Sequence, residues 1–130
     1  MRKFGIVGLV LLAGCASQPA KNNNAQNNDQ KVIQGAQLIA NGAPAKAIDQ
    51  YLEPVIHDCE EQRKKTKGQL YSSRSPAEAI VYMALAGTLG TDASAVSSTC
   101  GDAYYFKAYA NVDLGQLDEA QKIIKQALEW

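Results

Sequence analysis

From Lys31 to Trp130, apolar side chains recur at three- and four-residue steps, and that period confines the chain to packed helices. Val32, Ala36 and Ile39, with Gly35 and Leu38 beside them, mark a short helix that Asn41-Gly42 should stop. Pro44 opens a second helix, whose stripe of Ile48, Tyr51, Leu52, Val55, Ile56 and Cys59 is continuous. Pro54 lies inside that stripe and predicts a kink, because it removes a backbone hydrogen bond. Arg63 to Ser73 is polar and reads as loop or frayed helix. Ser75-Pro76-Ala77-Glu78 is a capping box with Pro at the first helical position, so a helix should follow that buries Ile80, Met83 and Ala84 and ends at Gly87 and Gly90. Thr91 to Cys100 reads as irregular, with one turn around Ala93 to Val96. Ala103–Val112 and Leu117–Trp130 make the last two helices, separated by Gly115. No segment alternates with period two. The expected class is all-α.

The first residues stand apart from this pattern. Arg2 and Lys3 precede a wholly apolar run, Phe4 to Leu12, well short of the roughly 20 residues that span a bilayer. A short apolar run behind basic residues is a secretory signal and is excluded from fold reasoning. It ends in Leu12-Ala13-Gly14-Cys15, which resembles the lipobox of bacterial lipoproteins. The resemblance implies that residues 1–14 are a signal peptide cleaved between Gly14 and Cys15. It also implies that Cys15 carries a diacylglycerol on its thiol and a fatty acyl group, such as palmitate, on its new amino group. Several acyl chains hold a protein on a membrane durably where one does not. Ala16 stands where this family often has the Asp of inner-membrane retention, so the implied address is the outer membrane, with the domain in the periplasm. Residues 15–30 follow as a lipidated tether. Ser17 to Gln30 holds five Asn and three Gln and no large apolar residue, a composition that predicts disorder; as a flexible coil from Cys15 to Lys31 it would reach about 22 Å.

Two helix pairs share one layout: GAQLIANGAPAKAIDQYL and KAYANVDLGQLDEAQKII each run helix, Gly-containing turn, helix. The second, within residues 101–130, resembles a tetratricopeptide repeat. Tyr104 takes the large aromatic position, Ala108, Ala120 and Ala127 the small positions, Gly115 the turn and Ile124 a large apolar position. Lys107 and Asn111 depart from the pattern, where Leu and Tyr are usual, and the N-terminal pair matches more loosely, with Pro54 where a small residue is usual. The resemblance implies antiparallel helix pairs forming a short right-handed solenoid over residues 31–130. Its first helices line a concave, partner-binding face, which here places Asp102, Tyr105, Tyr109, Val112 and Asp113 in the groove. About three such repeats are needed for stability. Only two and a half are visible, and no polar capping helix follows, so either the sequence is part of a longer array or the exposed C-terminal helix packs on another molecule, as in self-association.

The residues for chemistry are few. The chain has one His and three Cys, and 13 basic residues balance 13 acidic ones, so no strong field draws it to nucleic acid. With Cys15 lipidated, Cys59 and Cys100 remain as an even pair in an oxidising compartment. They either form a disulfide closing a loop of about 42 residues or stand as two thiols on different helical faces. His57 and Cys59 point nearly opposite ways on a helix and cannot pair as base and nucleophile. Glu53, His57 and Glu61 share a face at four-residue spacing, a pattern that more often marks a solvated surface than a metal site. Arg63, Lys64, Lys65 and Lys67 either touch anionic headgroups or complement the dipole at a helix end. No phosphate loop, zinc pattern or Ser-His-Asp set is present, so no metal, cofactor or catalytic site is expected. The sequence points to a non-catalytic, outer-membrane lipoprotein that scaffolds envelope proteins. An immunity or inhibitor lipoprotein acting on a periplasmic toxin or hydrolase is the alternative. A small cell-wall enzyme would need an acid–base pair that the sequence does not supply.

Overall fold

The computed structural model describes residues 23–130, and the expected signal segment, Gly14 and Cys15 lie outside them. Among the described residues the order is α1 (Asn23–Ala40), α2 (Pro44–Ala47), a π-helical turn (Ile48–Leu52), α3 (Glu53–Lys65), β1 (Gln69–Ser73), α4 (Pro76–Thr88), β2 (Ala93–Ser97), α5 (Thr99–Asp113) and α6 (Leu117–Ala127). Helices dominate, as the periodicity requires. None of them is long and apolar enough to cross a membrane.

Helix α1 corrects the expected tether over residues 23–30, where the Asn-rich stretch is already helical, while residues 15–22 lie outside the described residues. Its polar side chains find partners far along the chain. Asn28 Nδ2 donates to Asp58 on α3 at 3.2 Å, and Thr99 Oγ1 donates to Asp29. Composition alone cannot register such bonds. The helix ends where Asn41-Gly42 predicts, on a Schellman turn: Ala43 N–H bonds the Leu38 carbonyl and Gly42 N–H that of Ile39, both at 2.9 Å. Gly42 holds φ +77°, and Gly115 ends α5 the same way at φ +75°. At Gly35 the reason is closeness, since a Cβ there would lie 2.8 Å from Leu52 Cδ2.

The segment from Pro44 to Lys65 is one helical arm with a local irregularity. Pro54 has no N–H to serve the Gln50 carbonyl. The backbone widens just upstream into the π turn, in which Glu53 N–H bonds the Ile48 carbonyl. The disruption expected at Pro54 thus takes the form of an inserted wider turn.

The all-α expectation needs a second correction. β1 and β2 pair in parallel, Gln69 with Ala93 through Ser73 with Ser97, and α4 is the crossover that a parallel pair requires. Both segments read as loop because they are five residues long and rich in Ser. Leu70 and Val96 pack into the helical core, while Tyr71 stacks on Tyr82 of α4 with centroids 5.5 Å apart. A third correction concerns α4 itself. Ile80, Met83 and Ala84 are exposed, and Ala86 is the buried residue. The helix packs mainly on the small sheet, which is too narrow to cover more than one of its faces.

Helix α5 is the centre of the molecule, packed against α1, α2, the π turn, α3 and α6. Tyr104, Ala103 and Ala108 join Val32, Val55, Ile56 and Cys59 in the main core, and Ala110 joins Ile39, Ala47 and Leu52 in a second cluster. On α6 the phase differs by one residue from expectation. Ile123 is 1% exposed and fills the core, whereas Ile124 is 37% exposed. The end of α6 is closed by its own chain: Trp130 stacks on Tyr104, and the Arg63 guanidinium lies 4.5 Å over the indole.

Candidate partner-binding face

The first helix of the α5–α6 hairpin sorts its aromatics by helical phase. Tyr104 is 4% exposed, whereas Tyr105 and Tyr109 are 52% and 51% exposed. One turn spans four residues, so Tyr105, Tyr109 and Val112 form a row beside the buried row of Tyr104, Ala108 and Asn111. Tyr104 Oη donates to Glu60 on α3 at 2.5 Å. Burial, and then that bond, push its hydroxyl above the usual tyrosine range. The two departures from the repeat pattern have local partners. Lys107 Nζ lies 2.6 Å from Glu53, and buried Asn111 donates to the Lys107 carbonyl at 2.8 Å.

Beside this row, α1 and α5 flank a cavity of about 710 Å³. Ile33 and Ala36 of α1 and Phe106 of α5 supply its apolar lining; Asp29, Arg74 and Asp102 supply charge. Asp102 also accepts from Ser98 Oγ at 3.2 Å. Of the five expected groove residues, the structure therefore puts Asp102 in the cavity and Tyr105, Tyr109 and Val112 on the adjoining exposed row. Asp113 is exposed at the far end of the helix. Ile33, Arg74 and Phe106 were not anticipated. Ile33 lies off the Val32–Ile39 stripe and is exposed, which is the signal that an apolar residue out of phase leaves in a sequence. Phe106 packs against both core clusters and edge-on to Tyr105 at 5.4 Å, so it links the exposed row to the interior.

The other expected sites resolve individually. Cys59 and Cys100 are bonded to one another, with Cα atoms 5.8 Å apart, tying α3 to the first turn of α5. Glu53, His57 and Glu61 do not converge: Glu53 pairs with Lys107, and Glu61 with Lys64 at 2.9 Å. The Lys64 hydrogen bond lowers the Glu61 carboxyl pKa. Among the described residues no three His, Cys, Asp or Glu side chains are grouped to hold a metal. The basic run divides. Arg63 bonds the Glu129 carbonyl at 2.7 Å, Lys64 serves Glu61, and Lys65 and Lys67 are exposed.

Comparison with known families, with curated proteins and with solved structures finds no match to this chain.

Proposed function

We propose that this chain is a non-catalytic, lipid-anchored protein of the bacterial outer membrane whose α1–α5 face binds other envelope proteins. The observation that carries the reading is the division of α5. Tyr104 and Ala108 are consumed by the core, while Tyr105, Tyr109 and Val112 stand half-exposed beside a cavity with apolar and charged lining. Large, rigid aromatics of this kind dominate binding energy at protein interfaces. Asp102 and Asp113 at the ends of the row favour a partner carrying basic and apolar side chains. The anchor reading rests on the Leu12-Ala13-Gly14-Cys15 box and on Ala16 after it.

Two tetratricopeptide-like pairs, α1 with α2–α3 and α5 with α6, make up a short right-handed solenoid in this reading. Its support is that α5 packs against both arms of the preceding pair, as successive repeats do. The segment β1–α4–β2 is then an insertion between repeats. Leu117, Ile124 and Leu128 remain exposed on α6, and they are the residues through which copies of the chain would self-associate.

Photocrosslinkers placed at Tyr105 and Tyr109 in intact cells test the face. Discrete adducts with one or a few envelope proteins are expected there, and none from a crosslinker at Lys122 on the exposed side of α6. Equal adducts from all three positions would show that the face has no special role. Cys15→Ser should abolish fatty-acid incorporation; undiminished labelling would end the anchor reading.

A further inference from the structure

Helix α4 and its C-cap carry five of the thirteen large apolar side chains left exposed among the described residues. From Ala79 to Thr91 there is no charged residue. Ile80, Val81, Met83, Leu85 and Leu89 are each 43% exposed or more. Soluble surfaces rarely leave such side chains contiguous unless they meet an apolar partner. The helix is also prepared for a medium without water. Ser75 Oγ caps it by accepting from Glu78 N–H at 3.2 Å. The Glu78 carboxylate, its one charged group, accepts from Arg74 N–H at 2.8 Å and from Tyr82 Oη at 2.7 Å. Thirteen residues make a rod of about 20 Å, too short to span a bilayer but suited to lying in its surface.

The chain outside the structure favours a bilayer as the occupant. Cys15 stands eight residues before Asn23, a span of at most about 29 Å when extended. Asn23 to Asp29 adds only about 9 Å of helix. Asp29 lines the same cavity as Arg74, which sits two residues before α4. An acyl chain on Cys15 and the apolar side of α4 therefore reach the same leaflet. Cations stand at both ends of the helix. Arg74 precedes it, and at the other end Gln69 N–H bonds the Asp92 carbonyl, which places Lys67 there, with Lys65 two residues before it. Asp92 is the acid facing that end, and Glu61 is held by Lys64. An apolar helix flanked by exposed cations matches an anionic headgroup layer over hydrocarbon.

We propose that α4 lies in the headgroup–acyl boundary of the membrane that holds Cys15, so that the domain rests against the leaflet. This rests on the lipid-anchor reading. The test places an environment-sensitive fluorophore at Leu85→Cys or, as control, Tyr109→Cys, in the full protein bound to vesicles of phosphatidylethanolamine and phosphatidylglycerol containing a spin-labelled lipid. Cys59 and Cys100 are bonded to each other, and Cys15 is consumed by lipid or, where it is not, replaced by Ser. Quenching at position 85 should exceed that at 109 by roughly fivefold, as a buried apolar face requires. Equal quenching would overturn the proposal. So would a fluorophore at 85 that enters an apolar environment only as protein concentration rises without vesicles, which would assign α4 to a second copy. Fatty-acid incorporation at Cys15 is read separately. If it fails while position 85 still senses lipid, the anchor reading falls and α4 stands; an acylated protein whose position 85 stays in water reverses that outcome.

Discussion

Helices α4 and α5 are of similar length, thirteen and fifteen residues, and use their apolar side chains in opposite ways. α5 is surrounded by α1, the α2–α3 arm and α6, and it buries Cys100, Ala103, Tyr104, Ala108 and Ala110. α4 is the more apolar of the two and buries only Ala86. Its neighbours are two five-residue strands, which offer one face and one aromatic contact. Burial is set by the number of elements that surround a helix, and hydropathy by itself does not supply them. The hairpin helices complete one another, whereas the crossover helix is left with a surface to place elsewhere.

The contrast breaks most visibly by emptying the α5 core. Tyr104→Ala removes a ring that packs on Trp130 and bonds Glu60, so its cost should approach the roughly 5 kcal/mol upper range for a buried aromatic. Tyr105→Ala combined with Tyr109→Ala should cost less than that single change. Denaturant unfolding of the three proteins decides it, and a double variant as unstable as Tyr104→Ala would mean that the exposed row is part of the core.

Reduction of Cys59–Cys100 sharpens the contrast differently. The bridge closes a loop that contains the whole of β1–α4–β2, with a sequence separation of 41. On the chain-entropy model the loss is about 4 kcal/mol. Amides of Gln69–Ser73 and Ala93–Ser97 should lose their protection before those of α5 under mild reductant. Simultaneous loss throughout would show that crossover and hairpins fold as one unit.

How far the sequence foretold this arrangement depends on where the partners come from. The Gly42 and Gly115 stops and the Ser75–Glu78 cap depend on residues within a turn of each other. All are legible. The helix through Asn28 and Asp29 depends on Asp58 and Thr99, and the pairing of β1 with β2 depends on a crossover nineteen residues long. Neither leaves a local trace. Ile123 and Ile124 are adjacent and chemically identical, so only the crossing of α5 over α6 decides which is inside. The candidate face follows the same division: the tyrosine row follows from the repeat resemblance, whereas Ile33 and Arg74 join it through tertiary packing.

Surface changes on α4 are expected to have small effects on folding. Ile80 is 69% exposed, so Ile80→Ala should alter stability by no more than about 0.5 kcal/mol. Ile123→Ala, removing a fully buried side chain, should cost roughly 2–5 kcal/mol. Equal losses would mean that α4 is covered in the folded domain and that the comparison is drawn in the wrong place.

The smallest effect concerns the cap that starts α4. The Arg74 N–H and then the Tyr82 hydroxyl hold the Glu78 carboxyl below its ordinary value of 4.5. A carboxyl whose pKa is depressed by folding adds stability above its unfolded pKa, and that stability is lost as pH falls through the folded value. The cap should therefore be intact near neutral pH and weaken only below about 4.5. Because Glu78 is only partly buried and its bonds are to Arg74 and Tyr82, the change stays local to the first turn of α4. Amide exchange at Ala79 and Ile80 is the sensitive readout. Their protection should drop on acidification in the native chain and should be low at every pH in Glu78→Gln. If Glu78→Gln keeps full protection at pH 7, the carboxylate is not what holds the end of this helix, and the Ser75 hydroxyl alone is sufficient to set where the crossover begins.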